Sequence, residues 1–158
     1  MRDPVERLAS HYRYWRRVYD PATSLPLHRR VVEEDWPFER FYRSAEMRNL
    51  YAQFLWGVGL SGFSFIGITE AYEEDLRFFA RAFLGRSLPV YRENENDGGE
   101  SRLHVTDPEL RNDIAAHHRR DMLLYQHALE LRRRRMAWQS EHGQHPDGVE
   151  PKPGLGRD

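Results

Sequence analysis

Residues 1–12, MRDPVERLASHY, decide how the rest of the chain is read. Asp3 is a good helix N-cap. Pro4 suits the first helical position, where no N–H is needed, and Glu6 falls at the capping-box position. Val5, Leu8, Tyr12, Trp15 and Tyr19 follow at i, i+3 and i+4 spacing. That predicts a helix over about residues 4–19 with one buried stripe. Asp20-Pro21 ends it, because the residue before proline disfavours the α conformation. Ser10 sits two residues beyond Leu8, about 200° around the helix, and so points away from the stripe. A helix start offers free N–H groups and the positive end of a dipole. Arg2 adds a forked guanidinium and Ser10 a hydroxyl, and the set suits a phosphate monoester. The same residues also read as an ordinary capped helix with an exposed serine, so both readings stand at this point.

Working outward, the pattern stays helical. Residues 27–34 form a short helix, Pro37 opens another with Phe38, Phe41 and Tyr42, and a further helix covers about residues 46–56. Gly57, Gly59 and Gly62 break it. The run FSFIGI, residues 63–68, is short, apolar and bounded by turn signals, and is expected to be a strand. Thr69 caps a helix whose first turns carry Glu70, Glu73 and Glu74, and Gly85 stops it. Its apolar face is Leu76, Phe79, Ala80 and Phe83. Residues 93–101 (ENENDGGES) read as a polar loop. Asp107-Pro108 caps the next helix, and a long helix runs from about residue 119 to 140, with Leu123, Leu124, Ala128 and Leu131 facing inward. The arginines at 132–135 are expected to be mostly solvated.

Composition sets bounds. The chain has 158 residues, enough for one domain, read as residues 1–141 with a disordered tail at 142–158. That tail holds four Gly and three Pro in 17 residues and few aliphatic side chains. A formal net charge of −1 argues against a dedicated nucleic-acid binder, although 23 of the 24 basic residues are arginine. The absence of cysteine removes disulfides, thiolate metal sites and thiol nucleophiles. No apolar run is long enough for a membrane span, and the charged opening is unlike a signal peptide, so a cytoplasmic location is expected.

The order R-D-P-x-x-R-x-x-S-x-Y closely resembles the 3′-phosphate-binding motif of sulfotransferases that use 3′-phosphoadenosine 5′-phosphosulfate (PAPS). By that resemblance Arg2 and Ser10 hold the nucleotide's 3′-phosphate, with Arg7 and Tyr12 in supporting roles. Two later runs are similar to the same family: NLYAQFLWG at residues 49–57, and FIGITEAYEEDL at 65–76, which looks like its F-x-G-x-T-E strand-to-helix turn. The run R-x-D-x-x-L-Y at 119–125 resembles a helix of the carbohydrate-type branch. The resemblance covers about residues 1–131. It implies an α/β, three-layer, P-loop-like parent fold, of which this chain supplies mainly helices and one or two short strands. It also implies transfer of a sulfuryl group from PAPS to a hydroxyl, on a glycan or small glycoconjugate, without a metal. In that branch a segment matching residues 92–104 folds over the nucleotide, so Arg92, Asn94, Ser101 and Arg102 are secondary candidates for phosphate or adenine contacts; a solvated loop is the competing reading.

The family's lysine-bearing loop for the 5′-phosphosulfate and its catalytic base precede the R-D-P motif, and neither is found here. The only lysine is Lys152. The resemblance therefore implies the C-terminal half of a sulfotransferase, with no catalytic residue of its own and weak or absent turnover alone. A partner chain supplying the other half, or self-association through apolar surface near residues 63–68 and the first helix, is expected. The alternative is a non-catalytic module that binds nucleotide or partner. Other clusters read as structural. His117, His118 and Asp121 lack a third ligand for a metal site. The Glu73–Asp75 acids suit a helix start. Glu70 is expected to be structural, paired with an arginine of the first helix.

Overall fold

The computed structural model describes residues 1–90 and 105–142. Regular structure among them is helical: α1 (Pro4–Arg17), α2 (Pro26–Glu33), α3 (Phe38–Arg43), α4 (Leu50–Phe54), α5 (Tyr72–Leu84), α6 (Pro108–His117) and α7 (Arg119–His142). Single 3₁₀ turns lie at Leu60–Gly62 and Thr69–Ala71. No helix among the described residues is long and apolar enough to cross a membrane.

The α1 start forms where its sequence demands, but the capping box does not close. The Asp3 carboxylate accepts from the Val5 N–H at 2.8 Å and the Glu6 N–H at 3.3 Å. Glu6 turns away from the Asp3 N–H and accepts from the Val105 N–H and Arg111. The Asp3 N–H donates instead to Glu70 Oε1 at 2.9 Å. Glu70, expected to pair with an arginine of the first helix, thus meets a backbone donor instead. Its other oxygen accepts from the Tyr125 hydroxyl.

Two apolar clusters hold the helices. The first joins Val5 and Leu8 of α1 to Val31, Phe41, Tyr42 and Ile114, all fully or almost fully buried. This covers Val5 and Leu8 of the α1 stripe, with Tyr12 and Trp15 partly buried against it, while Tyr14 and Val18 remain exposed. The second cluster joins Leu60 and Ile68 to Tyr125 and Ala128 of α7. Leu124 and Leu131 pack against it, but Leu123 is 56% exposed. Tyr125 takes the inward position instead, because its hydroxyl has Glu70 to meet.

The expected strand at residues 63–68 is not formed as one. The backbone is extended at both ends, with ψ of 129° at Phe63 and 126° at Ile68. A strand is defined by its ladder, and the ladder here has a single rung. The Thr69 N–H donates to the Met1 carbonyl at 2.7 Å, and the Met1 amino group donates to the Gly67 carbonyl. Those two bonds together are the pattern of a parallel pairing between Met1 and Ile68. No sheet exists among the described residues, so the fold is predominantly helical.

Three further expectations change. The helix about residues 46–56 shrinks to α4, because Asn49 ahead of it adopts a left-handed φ of 53° and Gly57 follows at 76°. Arg132 and Arg135 are not solvated. Both reach the buried Asp75, at 2.9 and 2.7 Å, while Arg133 and Arg134 stay in water. Thr69 does not cap α5 through its side chain; the 3₁₀ turn intervenes. Gly85 ends α5 with a φ of 62°, the left-handed stop that glycine permits. The tail beyond His142 lies outside the described residues.

Candidate functional site

The site to be tested is the α1 start with Arg2 ahead of it and Ser10 along it. Arg2 is fixed by its backbone. Its N–H donates to the Tyr51 hydroxyl and its carbonyl accepts from the same hydroxyl, both at 3.1 Å. Its side chain is half-buried, and the guanidinium makes no hydrogen bond or ion pair among the described residues. Ser10 is also half-buried, and its hydroxyl is likewise without a partner among them. Ser10 lies six residues beyond Pro4, about 9 Å along the axis at the α-helical rise.

The free N–H groups expected at this helix start are already taken. Pro4 has none, Val5 and Glu6 donate to the Asp3 carboxylate, and the Arg7 N–H donates to the Asp3 carbonyl. The helix start therefore offers an anion no free backbone N–H at residues 4–7. Three carboxylates, Asp3, Glu6 and Glu70, also surround the turn, and the first two are neutralised by Arg111. Arg111 is therefore committed, and the Arg2 guanidinium has no carboxylate partner among the described residues.

Arg7 and Tyr12, read as supporting residues, do face the fold. Arg7 approaches Asp121 at 3.4 Å and covers the Tyr51 ring at 4.8 Å. Burial lowers the Arg7 pKa, against the pull of Tyr51 and Asp121. The Tyr12 hydroxyl donates to the Trp36 carbonyl at 2.6 Å. Arg92, Asn94, Ser101 and Arg102 lie outside the described residues.

Behind the site is a buried polar cluster that sequence reasoning passed over as a group. Asp121 is fully buried and accepts from the Tyr51 and Ala52 N–H groups at 3.1 and 2.9 Å. Burial raises its pKa; the two N–H bonds and Arg7 oppose the rise. His118, also fully buried, donates from Nε2 to the Tyr42 carbonyl and accepts at Nδ1 from the Asn49 N–H. Burial pushes its pKa down to about 4, so it is neutral. The sequence signal for this cluster is the pair of runs at residues 49–57 and 119–125, which carry Asn49 and Asp121. No group of three metal-ligating side chains occurs among the described residues.

An open cavity of about 340 Å³ lies beside α1, lined by Ala9, Tyr12, Arg13, Phe38, Val105 and Leu110 among others. Neither Arg2 nor Ser10 lines it, and its walls are mostly apolar, which suits a ring or aliphatic group better than a phosphate. Comparison with protein-family models, curated proteins and solved structures finds no match for this chain.

Proposed function

We propose that this chain is related to PAPS-dependent sulfotransferases of the carbohydrate type and recognises the 3′-phosphate end of the nucleotide through Arg2 and Ser10. The observation that carries the reading is the pair of uncommitted donors. Beside Arg7 and Arg111, both spent on carboxylates, the Arg2 guanidinium is unpaired among the described residues, and so is the Ser10 hydroxyl. A forked guanidinium and a hydroxyl match the donor set a phosphate monoester takes. The parallel pairing of Met1 with Ile68 also supports an α/β parent fold, since parallel pairing followed by a helix is the βα arrangement of such folds.

PAPS supplies the sulfuryl group, which passes to an acceptor hydroxyl and leaves adenosine 3′,5′-bisphosphate behind. The residues assigned here bind and orient the far end of that donor. Arg2 supplies two parallel N–H donors and the charge, and Ser10 fixes the phosphate's rotation. Such anchoring contributes affinity and alignment rather than bond breaking. No catalytic base and no lysine-bearing 5′-phosphosulfate loop are found in these 158 residues, so the chain by itself is expected to bind without appreciable turnover.

Titration calorimetry with adenosine 3′,5′-bisphosphate tests this. Micromolar binding is expected, weakened about tenfold or more in Arg2→Ala and in Ser10→Ala, in keeping with about 1.5–3 kcal/mol for a charged hydrogen bond. Thermal unfolding should be unchanged in both, because neither side chain has a partner to lose among the described residues. Binding unaffected by both substitutions, or no binding, rejects the assignment. A second reading is a non-catalytic nucleotide- or partner-binding module. Robust sulfation of sugar acceptors by the purified chain would eliminate it.

A further inference from the structure

We infer that Tyr51 is a positioning residue for the phosphate anchor: its hydroxyl fixes the Arg2 backbone and so sets where the Arg2 guanidinium reaches. The inference rests on the nucleotide reading above and extends it to a residue of a different helix, α4.

Arg2 and Ser10 are held in different ways. Ser10 rides on α1, whose hydrogen bonds fix its place. Arg2 precedes the Asp3 N-cap, so no α1 hydrogen bond sets its conformation. Two donors that take one phosphate need a fixed relation to each other. Tyr51 supplies it. Its hydroxyl accepts from the Arg2 N–H and donates to the Arg2 carbonyl, both at 3.1 Å. One side-chain group thus takes both backbone polar groups of a single residue, using its one proton and a lone pair. The Arg2 side-chain rotamers are then what is left to order. An anchor whose backbone is already ordered loses less entropy when its anion arrives.

Tyr51 is itself firmly placed. Its N–H donates to the buried Asp121 carboxylate of α7 at 3.1 Å, beside the Ala52 N–H at 2.9 Å. Its ring lies under the Arg7 guanidinium at 4.8 Å, and Arg7 in turn approaches Asp121 at 3.4 Å. Burial raises the Tyr51 pKa above the ordinary tyrosine value, so the proton that the Arg2 carbonyl takes stays on the oxygen at neutral pH. Support therefore runs from Asp121 through the start of α4 to Arg2, and the buried polar cluster behind the site gains a purpose. Ring and hydroxyl have separate duties. The ring meets Arg7, whereas the hydroxyl's hydrogen bonds among the described residues are both to Arg2. Tyr51→Phe removes the second duty and keeps the first.

Calorimetry with adenosine 3′,5′-bisphosphate on the intact chain, in a cycle of Tyr51→Phe, Arg2→Ala and the double variant, tests this. Tyr51→Phe is expected to weaken binding about three- to tenfold, the scale of a neutral hydrogen bond. Once Arg2→Ala is present, it should weaken binding no further. A second readout needs no ligand. In the free chain, the chemical shift of the Arg2 carbonyl carbon should move upfield in Tyr51→Phe, as a carbonyl's does on losing a hydrogen bond. An equal loss from Tyr51→Phe in both backgrounds marks a general effect on the fold and overturns the inference. So does an unmoved carbonyl resonance, or full affinity in Tyr51→Phe where Arg2→Ala weakens binding; either leaves the nucleotide reading standing. A wild-type chain that does not bind the bisphosphate overturns that reading, and the role of Tyr51 with it.

Discussion

His11 is half-buried and His118 fully buried. Burial holds both near pH 4, against an ordinary value of 6.5, with the Arg7 charge adding to the effect at each. An unfolded chain takes up these protons as pH falls through about 6.5, and the folded chain does so only near 4. Stability from this source is therefore fully present above 6.5 and is lost as pH falls toward 4. Asp121, raised by burial, pulls the other way. Urea midpoints should fall between about pH 7.5 and about pH 4.5. His11→Phe should flatten part of that fall, since the ring already sits 4.5 Å from Trp15 and 5.7 Å from Phe41. Asp121→Ala is a different case. It strips two N–H groups and Arg7 of a fully buried acceptor and should cost about 3–5 kcal/mol by denaturation.

At the scale of elements, the caps separate what sequence could tell from what it could not. Asp3 and Asp107 cap α1 and α6 as their Asp-Pro signatures indicate. Asp3→Ala should cost about 1–2 kcal/mol, judged by the unfolding midpoint, since it removes the cap and one Arg111 partner. Local patterns of this kind need only a few neighbouring residues, which is why α1, α2, α6 and α7 were legible to within a few positions. The strand at 63–68 failed for the opposite reason. A ladder needs a partner, and no local pattern states whether one is present. Arg132 and Arg135 failed likewise: a run of four arginines looks solvated until Asp75 is known to lie beneath two of them. The helix-start donors of the candidate site were legible as donors but not as spent. Only the fold shows that Asp3 itself consumes them.

Among the described residues, the most exposed large apolar side chains lie at the end of α4. Phe54 is 81% exposed and Trp56 87%, and Phe63, Phe83 and Leu84 add to the exposed apolar total. Large exposed apolar area marks an interface or an aggregation liability. Sedimentation of the purified chain should show concentration-dependent association, and Phe54→Ser with Trp56→Ser should reduce it while leaving the unfolding midpoint within about 0.5 kcal/mol, as for surface substitutions. A monomer at all concentrations with no binding of a hydrophobic dye contradicts this.

Asn49 and Asp121 trade favours across the fold. Asn49 Oδ1 receives the Arg120 and Asp121 N–H groups that open α7, and the Asp121 carboxylate receives the Tyr51 and Ala52 N–H groups that open α4. The partners are 69 to 72 residues apart. At five residues, α4 is far below the length of about 12–15 at which an isolated helix holds itself. As the chain leaves the ribosome, α4 has to wait unwound until α7 has been synthesised and swung back, and the two then start together.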